Sequence, residues 1–145
     1  MYNIIVAPLD GSKRAEKILP HIEELSKRFE AKIILVQVVE PPKVISDESI
    51  SQYVKDLDKL KLEADTYLSN IAEKFQSKKI QTELRVEHGK KIKNILQIVE
   101  KERADLIAIA SHGRSGVSRV FYGSVAASLL HRVDRPLLLI RSRDE

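Results

Sequence analysis

The chain has 145 residues, 43% of them hydrophobic and 32% charged, a balance that suits one globular domain with a buried core and argues against disorder. There is no cysteine and the four histidines (His21, His88, His112, His131) are scattered, which excludes disulfides, thiolate metal sites and cysteine nucleophiles and fits a reducing cytoplasm. The net charge of +4 comes from basic residues interleaved with acidic ones along helical stretches, with only 5% aromatics, so nucleic acid is not an expected partner.

The first predicted element is a strand, Asn3 to Pro8, short, apolar and rich in β-branched residues. Secretion and membrane insertion are not expected, since Met1 to Asp10 has neither a basic opening nor a cleavage site and no apolar run nears the roughly 18 residues of a membrane span. Cytoplasmic location is the expectation. Ser12 then reads as the N-cap of a helix whose apolar stripe runs through Ala15, Ile18, Leu19, Ile22, Leu25 and Phe29. Lys32 to Val39 is a second buried strand, followed by a long connection, Glu40 to Ser49, that carries Pro41 and Pro42. A second helical stripe uses Ile50, Val54, Leu57, Ala64, Leu68, Ile71, Ala72 and Phe75.

Ile80 to Val86 alternates apolar with polar residues and reads as an outer strand. Gly89, after Glu87 and His88, makes the turn into a third helix with Ile92, Ile95, Leu96 and Val99 inward. Leu106 to Ala110 is again a strand buried on both faces, as parallel sheets require. A long loop, Ser111 to Tyr122, separates it from a last helix, Ser124 to about His131, with Val125, Leu129 and Leu130 inward; Pro136 to Arg141 closes the chain as an edge strand.

Regular alternation of strands and helices predicts a single α/β domain over 1–145: a five-stranded parallel, doubly wound sheet with helices on both faces. If the chain reverses across the sheet after its third strand, the order is 3-2-1-4-5. The first and fourth strands then become neighbours at the topological switch point where ligands of open α/β sheets bind.

The segment from Ile109 and Ala110 to Val125 lies at that point. Gly113, Gly116 and Gly123 allow backbone N–H groups close to a ligand, and a helix starting at Ser124 presents unpaired donors and a partial positive charge. Ser111, Ser115, Ser118 and Ser124 add hydroxyls, and Arg114 and Arg119 add positive charge, so the pattern suits an anion such as phosphate. Spacing alone also allows a surface loop ending in a serine cap, as the lesser alternative. Asp10, in Pro8-Leu9-Asp10-Gly11-Ser12, faces this loop across the switch point, where its carboxylate either caps the first helix or accepts hydrogen bonds from a ribose or helps hold a metal ion.

In these residues the chain resembles the universal stress protein family, whose nucleotide signature is Gly, two residues, Gly, nine residues, then Gly followed by Ser or Thr. Gly113, nine intervening residues, Gly123 and Ser124 match in register, while Ala110 stands where the signature has its first glycine. The opening IIVAPLDGS, the stretch GKKIKNILQIVEKERADLIAIASHGRSG and the closing SVAASLLHRVDRPLLLIR are similar to the family along nearly the whole chain. The resemblance implies a Rossmann-like fold of the adenine nucleotide alpha hydrolase type. It places Pro8, Leu9, Asp10 and Val38 near adenine and ribose, and Ile109, Ala110, His112, Gly113, Arg114, Gly116, Gly123, Ser124 and Val125 around ribose and phosphates. It implies ATP or AMP as ligand, Mg2+ or Mn2+ only with the triphosphate, a homodimer through Pro136 to Arg141, and a regulatory, stress-response role.

No catalytic residue is assigned. The GxxxxGK(S/T) phosphate loop and the HIGH and KMSKS signatures of nucleotidyl transferases are absent, and His21-Ile22-Glu23-Glu24 falls inside the first helix. His112 has no carboxylate partner in sequence reach and suits a hydrogen bond that orders the loop. Slow ATP hydrolysis, and a dimeric partner-binding module without nucleotide, are the alternative functions.

Overall fold

The computed structural model describes residues 1–40, 50–113 and 124–143. The strand β1 (Ile4–Pro8) leads through a turn and a 3-10 segment (Ala15–Ile18) into α1 (Leu19–Phe29). Then follow β2 (Lys32–Val39), α2 (Ile50–Ser77), β3 (Thr82–His88), α3 (Lys91–Lys101), β4 (Leu106–Gly113), α4 (Ser124–Arg132) and β5 (Leu137–Arg143). All neighbouring strands run parallel, in the order β3-β2-β1-β4-β5, as the alternation predicts.

Successive strand residues point to opposite faces, and here both faces are covered, which is why β1, most of β2 and β4 as far as Ala110 are apolar at nearly every position. One core joins Ile5, Ala7, Ile33, Leu35, Ala108 and Ala110 to Ile18 and Ile22, the latter on α1, and to Leu68, Ile71 and Phe75 on α2. The other joins Val6, Ile34, Val36, Val38, Ile107 and Ile109 to Ile95, Ile98 and Val99 on α3 and Ala126 and Leu129 on α4.

The elements depart from the sequence reading where periodicity carries no information about neighbours. Strand β4 runs on to Gly113 because β5 continues alongside it, with Ser111, His112 and Gly113 opposite Arg141, Ser142 and Arg143. Ile50 and Val54 on α2 and Leu130 on α4, all expected inward, are about half exposed (48%, 49% and 49%). Phe29, also expected inward, instead meets the ring of Tyr2 edge-on at 5.3 Å. Ser12, expected as the N-cap, sits two residues ahead of the cap position at Arg14, and its Oγ accepts from the N–H of Ala15 at 3.1 Å. The connection at 41–49 and most of the loop, 114–123, lie outside the described residues.

The central pair decides where a ligand can enter. β1 is paired with β2 over its whole length, from Ile4↔Lys32 to Pro8↔Val36. With β4 it is in register only at Ile5↔Leu106 and Val6↔Ile107. Beyond Val6 the helices leave on opposite faces and the strands part. At the lower end of the pair, Asp105 Oδ2 accepts from the N–H groups of Asn3 (2.7 Å) and Ile4 (2.8 Å), and its own N–H donates to the Ile4 carbonyl at 2.8 Å. One side chain therefore fixes β1 against β4 where main-chain pairing is short. Asp105→Ala is expected to lower unfolding free energy by about 1–2 kcal/mol, the cost of losing hydrogen bonds to a charged acceptor. Asp105→Asn should recover part of the loss in urea denaturation.

Candidate functional site

A cavity of about 190 Å3 opens at the carboxyl ends of the parted strands. Pro8, Leu9 and Asp10 reach it from β1 and the turn after it, Arg14 and Ala15 from the start of the first helical segment, and Val36 and Val38 from β2. Lys91 and Ile95 come from α3, Ile109, Ala110 and Ser111 from β4, and Ser124, Val125 and Ala126 from the first turn of α4. In a parallel sheet every strand ends, and every following helix begins, on this one edge, so six separate elements contribute without any long excursion.

The Asp10 turn is tightly specified. Gly11 has φ +86, in the left-handed region, with open space where a Cβ would stand, so glycine is required there by backbone conformation and not by crowding. Asp10 Oδ1 accepts from the N–H of Ser12 (2.9 Å) and from its Oγ (2.6 Å). Asp10 Oδ2 accepts from Arg14 Nη2 at 2.7 Å, and Arg14 Nη1 reaches across the crevice to the carbonyl oxygen of Ala110 at 2.6 Å. The two strands that separate after Val6 are thus joined again by one guanidinium.

Three helical starts point into the cavity, at Ala15, Lys91 and Ser124. The first is a 3-10 turn whose Ala15 N–H is already taken by Ser12 Oγ, so the partial positive charge, about half an elementary unit for a full helix, belongs to the starts of α3 and α4. Arg14 and Lys91 add two full charges, and Asp10 is the single carboxylate in the lining among the described residues. Burial pushes the Asp10 carboxyl up, yet the Ser12 hydrogen bonds and the charges of Arg14 and Lys91 outweigh it and hold it below its ordinary value. The wall opposite is apolar, formed by Val36, Val38, Ile95 and Ile109. Ser111, only 1% exposed, lines the cavity, and its Oγ has no hydrogen-bond partner among the described residues.

The lining combines a slot of branched aliphatic side chains suited to a flat apolar group with helix starts, two cations and a free Ser111 hydroxyl suited to an anion, while the acceptors at Asp10 and Ala110 are bridged by Arg14. It offers less to a metal. Among the described residues no group of three His, Asp or Glu side chains comes together.

Of the residues singled out in the sequence, Pro8, Leu9, Asp10, Val38, Ile109, Ala110, Ser124 and Val125 meet around this cavity. His112 and Gly113 continue the β4 backbone beside it. Arg114, Gly116 and Gly123 lie outside the described residues. Sequence reasoning missed Arg14, Ala15, Val36, Lys91, Ile95 and Ala126. Arg14 did leave a signal, four residues after Asp10 at the spacing of a helical ion pair. Lys91 left a weaker one, at the first position of the helix after the Gly89 turn.

The family model described as Universal stress protein family matches residues 1–141. Universal stress protein MJ0531 of Methanocaldococcus jannaschii is 29% identical over 147 residues, which is 97% of this chain and 83% of that protein. The solved structure of MJ0577, from the same organism, aligns with TM-score 0.84 at 24% identity, covering 100% of this chain and 99% of that one. The universal stress protein from Archaeoglobus fulgidus solved in complex with dAMP aligns with TM-score 0.66 at 21% identity, covering 97% and 98%.

The pH dependence of the turn can be tested. A carboxyl held low in the folded state stabilises the fold only while ionised. The stability deficit of Asp10→Asn is therefore expected to be full above the ordinary value of 3.8 and to vanish as pH falls through the lower folded value. Urea titrations of both proteins across that range would show a flat difference if Asp10 plays no such part.

Proposed function

The chain belongs to the universal stress protein family, and from that premise we propose that it binds an adenine nucleotide, AMP or ATP, in the cavity between β1 and β4 and acts as a cytoplasmic stress-response regulator. The observation that carries this reading is the pairing of an apolar slot (Val36, Val38, Ile95, Ile109) with a cluster of helix starts and cations on one sheet edge. A purine lies well against branched aliphatic side chains, and the phosphates belong at the start of α4, where Ser124 and the backbone of Val125 offer donors and Ser111 a free hydroxyl. Arg114, Gly116, Gly123, His112 and Gly113 complete the phosphate side in this proposal. That a universal stress protein of the same fold was solved in complex with dAMP supports an adenine nucleotide as the ligand class.

A regulatory output is favoured over rapid catalysis by the state of Asp10. Its carboxylate accepts from Ser12 twice and from Arg14 once and is held below the ordinary carboxylate value, which makes it a poor proton acceptor. Magnesium or manganese enters this proposal only with a triphosphate and rests mainly on phosphate oxygens and water. The chain's remaining acidic groups are elsewhere than in the cavity lining among the described residues.

Isothermal titration with AMP, ADP and ATP is expected to give saturable binding, and Val125→Trp, which fills the cavity from its rim, should weaken it at least ten-fold while leaving the melting temperature near that of wild type. Absence of heat at millimolar nucleotide would sink the proposal. The proposal extends to assembly. β5 is the outermost strand, with Leu137, Leu138, Leu139 and Ile140 half-buried and no strand on its far side among the described residues. Pairing of Pro136 to Arg141 with its twin covers that edge, and sedimentation velocity should report twice the chain mass of 16.5 kDa. A monomer at micromolar concentration overturns that part.

A further inference from the structure

Arg14 occupies an unusual place for a cavity-lining cation. Its side chain is only 20% exposed and is held at two points, by Asp10 Oδ2 and by the Ala110 carbonyl oxygen. The other carboxylate oxygen is already engaged by the N–H and hydroxyl of Ser12. At the point where β1 and β4 part, the two acceptors on opposite sides of the crevice are therefore both bound to one side chain of the chain itself. A guanidinium has five N–H donors and no acceptor, so it returns nothing to which a ligand hydroxyl could donate.

Resting on the nucleotide reading above, we propose that Arg14 masks the hydroxyl-reading corner of the site and is thereby a specificity-determining residue. The sugar hydroxyls are the donors by which a ribonucleotide differs from its deoxy counterpart. A site whose buried acceptors await a hydroxyl rejects the analogue that lacks it by large factors, because the acceptors are left unpaired. Here neither acceptor is left unpaired when the hydroxyl is missing, since Arg14 satisfies both. The site consequently accepts adenosine and 2'-deoxyadenosine 5'-monophosphates with nearly equal affinity. Removal of the guanidinium frees Asp10 Oδ2 and the Ala110 carbonyl and creates a preference for the ribonucleotide.

The measurement is the ratio of dissociation constants for AMP and 2'-deoxy-AMP, in which the loss of Arg14's general attraction for phosphate cancels. Wild type is expected to give a ratio within about three-fold. Arg14→Met, which keeps the aliphatic stem without donors, should favour AMP by on the order of ten-fold or more, the range of a hydrogen bond to a charged acceptor. Adding Asp10→Ala to that variant removes one of the two freed acceptors and should bring the ratio most of the way back toward the wild-type value, while Arg14→Lys should fall between. A wild-type protein that already prefers AMP ten-fold overturns the masking role without any variant being made. Equal weakening of both ligands in Arg14→Met, at an unchanged ratio, also overturns it and makes Arg14 a phosphate contact, with nucleotide binding intact. If no protein binds either ligand at millimolar concentration, the nucleotide reading itself fails and this inference with it.

Discussion

The feature on which the rest of the structure depends is the short pairing of β1 with β4. Two in-register residue pairs hold the middle of the sheet together before the strands diverge, and the winding of the chain reverses across that seam. A sheet so weakly joined at its centre needs side chains to complete it, and two do so at opposite ends. Asp105 fastens the amino-terminal edge through the N–H groups of Asn3 and Ile4. Arg14 spans the carboxyl-terminal edge from Asp10 to Ala110. The space between the second link and the last paired residues is the cavity.

The same seam sets the electrostatics. Because all five strands are parallel, the helices that follow β1, β3 and β4 start on the same edge and turn their positive ends toward one volume. Left alone, that concentration of positive helix ends with Arg14 and Lys91 would be repulsive, and Asp10 partly balances it. Its carboxylate survives partial burial in ionised form because Ser12 supplies two hydrogen bonds and the cations lie nearby. The balance still leaves positive charge in excess at the lining, which is the condition for attracting an anion.

The fold was legible because buried parallel strands leave a plain mark: NIIVAP, KIILVQVV and LIAIA carry no polar alternation, and helical stripes separate them. What the pattern could not carry was the identity of neighbours. Ile50, Val54 and Leu130 keep helical spacing yet lie about half exposed, since periodicity assigns a face and says nothing of what covers it. The end of β4 was invisible for the converse reason. Ser111, His112 and Gly113 have no apolar signature, and only the company of β5 makes them a strand. At the site, the glycine spacing and Asp10 drew attention to the right edge, whereas Arg14 was hidden in a surface-like run, Ser12-Lys13-Arg14, where charge usually means solvent. Val36, Ile95 and Ala126 read as core, and they are core; a ligand slot made from the upper layer of a hydrophobic core has no sequence signature of its own.

The alanine at position 110 follows from the same geometry. Along β4, Ala108 and Ala110 alternate with Ile107 and Ile109, so the two alanines belong to the core shared with α1 and α2, and the isoleucines to the core shared with α3 and α4. The apolar wall of the cavity is built from the second of these, through Val36, Val38, Ile95, Ile109 and Ala126. The methyl group of Ala110 is accordingly directed into packing, 7% exposed, while the carbonyl oxygen faces the crevice and receives Arg14. A glycine here would present the same carbonyl and add backbone freedom that folding must then restrain. What this position contributes to the site is main chain, and a small side chain directed to the other face leaves that contribution intact.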